Sequence, residues 1–124
     1  MGMHEWGSST VVVANTQYVI KELVLLRGQT IPWHRHLRKA ETHICIAGEG
    51  LLLIWDSFGG PEQPAADYWI NGTRGVGTYQ RHDLRPGYLV DVPPGRWHAL
   101  LALPSLGMTV LEPQGVEVED IQWL

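Results

Sequence analysis

The sequence has a single cysteine, Cys45, so no disulfide can form within the chain. Nine lysines and arginines face thirteen aspartates and glutamates, a formal charge of −4. With no basic surplus to neutralise a run of phosphates, nucleic acid is not an expected partner. Apolar runs as long as a membrane span are missing, as is the cationic-then-apolar pattern of a signal peptide in Met1 to Thr10. The expectation is a cytoplasmic protein with no membrane partner. Also missing is an apolar i, i+3, i+4, i+7 pattern kept up for three turns without a breaker, so no long helix is expected.

What the chain does have is 14 glycines, 8 prolines and 6 tryptophans in 124 residues. That length allows one domain with one core, here residues 1–124. Glycine and proline cut the chain into short segments joined by turns, the mark of an all-β domain. Strand-length apolar runs fall at Thr10–Ala14, Tyr18–Leu26, His43–Ala47, Leu51–Trp55, Tyr88–Val92, Ala99–Leu103 and Met108–Leu111, each bounded by turn residues. Seven short strands suggest a sandwich or barrel, and Gly48-Glu49-Gly50 reads as a tight hairpin. From Asp56 to Arg85 the chain turns polar and rich in glycine and proline, with only Tyr68–Ile70 and Val76–Tyr79 suited to pairing. A connection of that length is either a surface excursion or a lid over a pocket.

The chemistry gathers in the histidines. His34 and His36 are two apart, which on a strand puts both on one face, about 6.6 Å apart along the chain. If Leu37 to Ala40 form a bend, Glu41 opens the next strand facing back toward them, and alternation carries His43 and Cys45 to the same side. His98 follows a Pro93-Pro94-Gly95 turn and offers a third imidazole. Three imidazoles and one carboxylate suit one divalent transition metal, Fe, Mn, Ni, Co or Zn, with positions left for water or substrate; calcium and magnesium prefer oxygens. His4 and His82 have no partner at ligand spacing and read as packing or surface residues.

The stretch Gly28-x5-His34-x-His36-x4-Glu41-x6-Gly48 resembles the first motif of the cupin superfamily. Gly87-x5-Pro93-x-Gly95-x2-His98 resembles the second up to its last place, where Ala102 stands for the usual asparagine. Together they span about residues 28 to 102. The resemblance implies a small antiparallel β-barrel of two facing sheets, a jelly roll, with His34, His36, Glu41 and His98 as metal ligands. Trp6-Gly7-Ser8, Tyr18 to Leu26 and Val116 to Ile121 are similar to flanks of the cupin module of type II mannose-6-phosphate isomerases. In that module a glutamine usually occupies the place of His34; the full set of three histidines and a glutamate found here is that of metal-dependent dioxygenase cupins.

Cupins span many functions, so the resemblance leaves three readings. In a sugar or sugar-phosphate isomerase-like enzyme the metal acts as Lewis acid, His43 is the candidate base and Arg96 the candidate cation for a phosphate. His43 reads equally as a hydrogen-bonded core histidine, and Arg96 as a solvated loop residue. In an Fe(II) dioxygenase of a small organic substrate, an apolar pocket shields the reaction; Trp33 and Trp97 flank ligands, but alternation points them away from the interior and toward packing. The third reading is a non-enzymatic small-molecule-binding cupin. Strand-rich termini and spare tryptophans point to a second copy of the chain as partner, a homodimer.

Overall fold

The computed structural model describes residues 2–55, 79–113 and 121–124. Most of the Asp56–Arg85 segment, including Tyr68–Ile70 and 76–78, lies outside these residues, as does the flank from Val116 to Asp120. The described residues form nine strands and no helix: β1 (Gly2–His4), β2 (Gly7–Ala14), β3 (Tyr18–Leu25), β4 (Thr30–His36), β5 (Glu41–Trp55), β6 (Tyr79–Leu84), β7 (Leu89–Val92), β8 (His98–Pro113) and β9 (Ile121–Trp123). No helix among them is therefore long and apolar enough to cross a membrane.

Every pairing is antiparallel. The expected facing sheets are joined into one, with path β1-β2-β3-β8-β4-β9 and with β5 pairing β6, β7 and β8. The two long strands are the spine. β5 runs against β8 from Thr42↔Leu111 to Ile54↔His98, and β8 also carries β3 and β4.

Two expectations change here. Gly48-Glu49-Gly50 is not a hairpin but a bend inside β5, whose pairing with β8 continues through Gly48↔Leu106 and resumes at Gly50↔Ala102. A hairpin would turn the chain back on itself; here both flanking apolar runs find partners on the equally long β8, so the strand continues with a register shift. Likewise Tyr79–Leu84, inside the supposed excursion, is a strand that pairs Gly50–Trp55. Its residues from Gln80 to Asp83 are polar because the strand lies at an edge, and Leu84 alone is fully buried.

The bend also changes which residues face inward. Before it the odd positions Glu41, His43 and Cys45 are buried toward the interior; after it the even positions Leu52 and Ile54 are. Cys45, Leu52 and Ile54 join Leu25, Ile31, Leu84, Val90, Val92, Leu100, Leu106 and Met108 in the interior cluster. The opposite face of the same strands carries a second buried cluster of Trp33, Leu51, Leu53, Trp55, Trp97, Ala99 and Leu101. So the strands that hold the site are packed on both faces, which explains why Leu51 to Trp55 reads as an unbroken apolar run.

Gly48 has φ +77°, and a Cβ built there would lie 2.0 Å from the Ser105 carbonyl oxygen. Gly28, at φ +71°, has open space around it. Gly48→Ala should therefore cost more than about 2 kcal/mol in chemical denaturation, against about 1 kcal/mol for Gly28→Ala. Equal losses would show that the close approach at Ser105 contributes nothing.

Candidate metal centre

Each functional side chain sits at a strand start or on its inward face. On β4 alternation turns His34 and His36 inward and Trp33 outward. The chain bends over 37–40, and Glu41 opens β5 with His43 two residues on. His98 is the first residue of β8 and pairs directly with His34, their rings 4.2 Å apart. The turn before it is tied to the first motif: Gly95, at φ +79°, donates its N–H to the carbonyl of His36 at 2.6 Å. A side chain there would oppose that backbone conformation.

The result is a carboxylate oxygen ringed by imidazoles. Glu41 Oε1 lies 3.2 Å from His36 Nε2, 3.3 Å from His43 Nε2 and 3.4 Å from His98 Nε2. His34, His36 and His98 bring ligand atoms within 4.8 Å of one another, and so do Glu41, His43 and His98. All five residues are buried.

Backbone contacts orient two of the rings. His34 Nδ1 donates to the Pro32 carbonyl at 2.8 Å and His98 Nδ1 to the Arg96 carbonyl at 2.9 Å. That leaves the Nε2 lone pair of each neutral ring available as a ligand. Burial, reinforced by the neighbouring imidazoles, holds His34 well below the ordinary histidine value. Burial also lowers His98, against the opposing pull of Glu41. Burial by itself would raise Glu41, but contacts from His36, His43 and His98 outweigh it and hold the carboxyl well below its usual range.

His98 Nε2 is fully buried and has no hydrogen-bond partner, yet it points its lone pair at a carboxylate oxygen. Two electron-rich atoms so placed repel unless a cation lies between them. The donor set of nitrogens with one carboxylate fits a divalent transition metal, so the residues present suit the group the motifs imply.

No protein-family model matches the sequence, and no curated protein does. Solved structures do match. CapF, in complex with 3-isopropenyl-tropolone, superposes with a TM-score of 0.76 at 16% identity, over 100% of this chain and 33% of its own. The DMSP lyase DddQ from Ruegeria pomeroyi gives 0.69 at 16%, over 94% of this chain and 50% of its own. Oxalate oxidase in complex with glycolate gives 0.64 at 20%, over 86% and 46%. The chain has the cupin fold. It spans half or less of the length of each of these proteins.

In this chain the donor set faces a cavity of about 450 Å³. His34, His36, Glu41 and His43 line it directly, while His98 lies wholly buried behind them. Arg96 is elsewhere: it lines a separate cavity with Trp55, Gln80 and Asp91, and its carbonyl orients His98. The cations beside the metal cavity are Lys21 and Lys39.

Sequence reasoning missed both lysines, and also the mouth. His4 stacks on Trp6 at 4.4 Å and bonds Ser9 there, and Trp123 packs on His34 at 5.0 Å. β9 is held in place by pairing with β4 and by Arg35, which bonds Gln122 at 2.8 Å and covers Trp97. Lys39, between two ligands in sequence, carried a local signal; Lys21, Trp6 and Trp123 carried none, since only long-range pairing brings them here. His82 lies apart, bonded to Tyr88 and Gln80.

The depressed values of His34 and His98 set a pH dependence for the metal-free protein. The unfolded chain takes up these protons near pH 6.5, the folded chain only at lower pH. The unfolded state thus binds more protons as pH falls below 6.5, and stability falls with it. Glu41 adds no offset in that window, because its stabilising ionised form persists down through its lowered value. Denaturation of metal-free protein at about pH 7.5 and about pH 5.5 should give a clear loss at the lower value. Equal stability would contradict neutral burial of these rings.

Proposed function

We propose that this cupin is a metal-dependent enzyme acting on a small organic molecule, with His34, His36, Glu41 and His98 holding the metal and chemistry of the isomerase kind. The observation that carries the reading is the buried Nε2 of His98 facing Glu41 Oε1 at 3.4 Å, an arrangement that calls for a cation. When bound, such a metal supplies Lewis-acid polarisation of a substrate oxygen.

The chain's own residues supply the rest. His43 is buried, lines the cavity and holds Nε2 3.3 Å from Glu41 Oε1, so it is the base we assign. In the tautomer with Nε2 unprotonated it accepts a proton there from one substrate carbon and returns it to the neighbouring carbon, while the hydroxyl proton passes to the former carbonyl oxygen, with no net redox change. Arg96 acts through its carbonyl by fixing the ring of His98. Leu23, Ile31, Leu100 and Val110 wall the cavity and keep water away.

Those apolar walls also favour a second reading, an Fe(II)-dependent dioxygenase, which needs a dry pocket more than it needs partners for sugar hydroxyls. The proteins named in the structural matches, oxalate oxidase and a DMSP lyase among them, lend support to small organic substrates without choosing between the two.

Elemental analysis of the purified protein is the first test. One transition-metal ion per chain is expected, and His98→Ala should weaken metal binding by at least about tenfold in a competition titration. No retained metal and an unchanged titration for His98→Ala would refute the site. Iron with O₂ uptake on addition of substrate would select the dioxygenase; zinc or manganese without it would select isomerase chemistry.

A second copy of the chain is the partner we propose. Val13, Val24, Ile46, Leu89 and Leu111 are exposed on the outer face of β2, β3, β5, β7 and β8, opposite the interior. Sedimentation at micromolar concentration should show a particle of twice the chain's mass, and Ile46→Glu should halve it. A monomer before substitution would dismiss the dimer.

A further inference from the structure

Glu41 presents its two oxygens to different partners. Oε1 meets His36, His43 and His98 at 3.2, 3.3 and 3.4 Å, whereas Oε2 lies 3.7 Å from the ammonium of Lys39. Lys39 belongs to the bend between β4 and β5, lines the metal cavity and is 8% exposed. It is anchored from the other side: its Nζ donates to Glu112 Oε2, and Lys21 holds the remaining oxygen, Glu112 Oε1, at 2.7 Å. Glu112 stands near the end of β8, next to Leu111, which pairs Thr42. The bend that separates the ligands is thereby tied to the spine of the sheet, through one ammonium placed between two buried carboxylates.

That placement bears on how Glu41 can bind a cation. A carboxylate takes up a metal through one oxygen or chelates it through both. Chelation would require Oε2 to swing away from Lys39 and toward the imidazoles, breaking an ion pair in an interior where charge pairing counts most. With Oε2 held, Oε1 alone is offered among the imidazole nitrogens, and the place that the second oxygen would fill stays open to a donor from the cavity. The ammonium also repels a cation beside it, so Lys39 lowers metal affinity while it preserves that opening.

We propose that Lys39 is a positioning residue that holds Glu41 to ligation through Oε1 alone and so keeps a coordination position open for an oxygen or nitrogen donor of the substrate. The assignment rests on the metal-enzyme reading above. Glu112, with Lys21 behind it, fixes where the ammonium stands.

The test reads binding and ligation, not turnover. The cobalt(II)-loaded protein is titrated with imidazole, a neutral donor that Lys39 cannot attract by net charge, and followed by the visible absorption of the metal. Wild-type protein should bind imidazole saturably, and its X-ray absorption should lack the short cobalt–carbon distance of a chelating carboxylate. Lys39→Met should bind cobalt at least about threefold more tightly, show that distance, and bind imidazole about tenfold more weakly. Lys39→Arg should bring imidazole affinity back to within about threefold of wild type, since it keeps the charge. Lys21→Met removes a cation from the same cavity wall that is one-third exposed and contacts Glu112 rather than Glu41; it should leave imidazole within about twofold.

Tighter cobalt with weaker imidazole separates positioning from support of the fold. Weaker cobalt binding by Lys39→Met with imidazole unaffected would make the lysine a structural residue only. Equal weakening of imidazole by Lys39→Met and Lys21→Met would make the effect one of charge in general, and overturns the proposal too. A chelating Glu41 in the wild-type protein, or cobalt uptake with no binding of imidazole, overturns it without recourse to any Lys39 variant. Each of these outcomes sinks the positioning role alone, whereas failure of the wild-type protein to take up cobalt sinks the metal reading beneath it.

Discussion

The structure depends on one buried carboxylate. Glu41 Oε1 sits within 3.2 to 3.4 Å of three imidazole nitrogens, in an interior where an uncompensated charge would be expensive. Much of the surrounding architecture bears on keeping those groups in place. Pro32 and Arg96 lend carbonyls to turn two rings, Gly95 ties one motif to the other, and the bend over 37–40 swings Glu41 back toward β4. A divalent cation would satisfy all members of the polar cluster together.

Rigidity comes from packing on both sides of the ligand-bearing strands. Inward, Leu100, Cys45 and Met108 fill the space beneath the histidines; outward, Trp33, Trp97 and Trp55 cover the same backbone. A site on a doubly packed ladder holds its geometry more closely than one on exposed loops. The tryptophans adjoining ligands in sequence therefore serve the site indirectly, as ballast on the reverse face, while Trp6 and Trp123, distant in sequence, meet at its mouth.

Fold and activity separate at the cavity wall. The shared fold accounts for the barrel-like sheet, and structures that have it carry different names and ligands. Around the candidate donor set of this chain stand His43 in contact with Glu41, two lysines held by Glu112, and apolar walls between.

Alternation along short strands was enough, from sequence, to put His34 and His36 on one face, to return Glu41 and His43 toward them, and to send Trp33 and Trp97 the other way. These are local relations, and the period of a strand decides them. Alternation failed where a strand bulges: the inward set of β5 passes from odd to even numbers across Gly48 to Gly50, and a supposed hairpin proves continuous because β8 is long enough to pair both halves. The polar edge strand Tyr79–Leu84 was hidden for a similar reason, since its partner supplies the apolar surface. Residue types and spacing determined the donor set and the all-β class. Only the tertiary structure decided that Lys21, Lys39, Trp6 and Trp123 join it while Arg96 faces elsewhere, because those placements follow from pairings between β1, β2, β3, β4, β8 and β9 that no local pattern encodes.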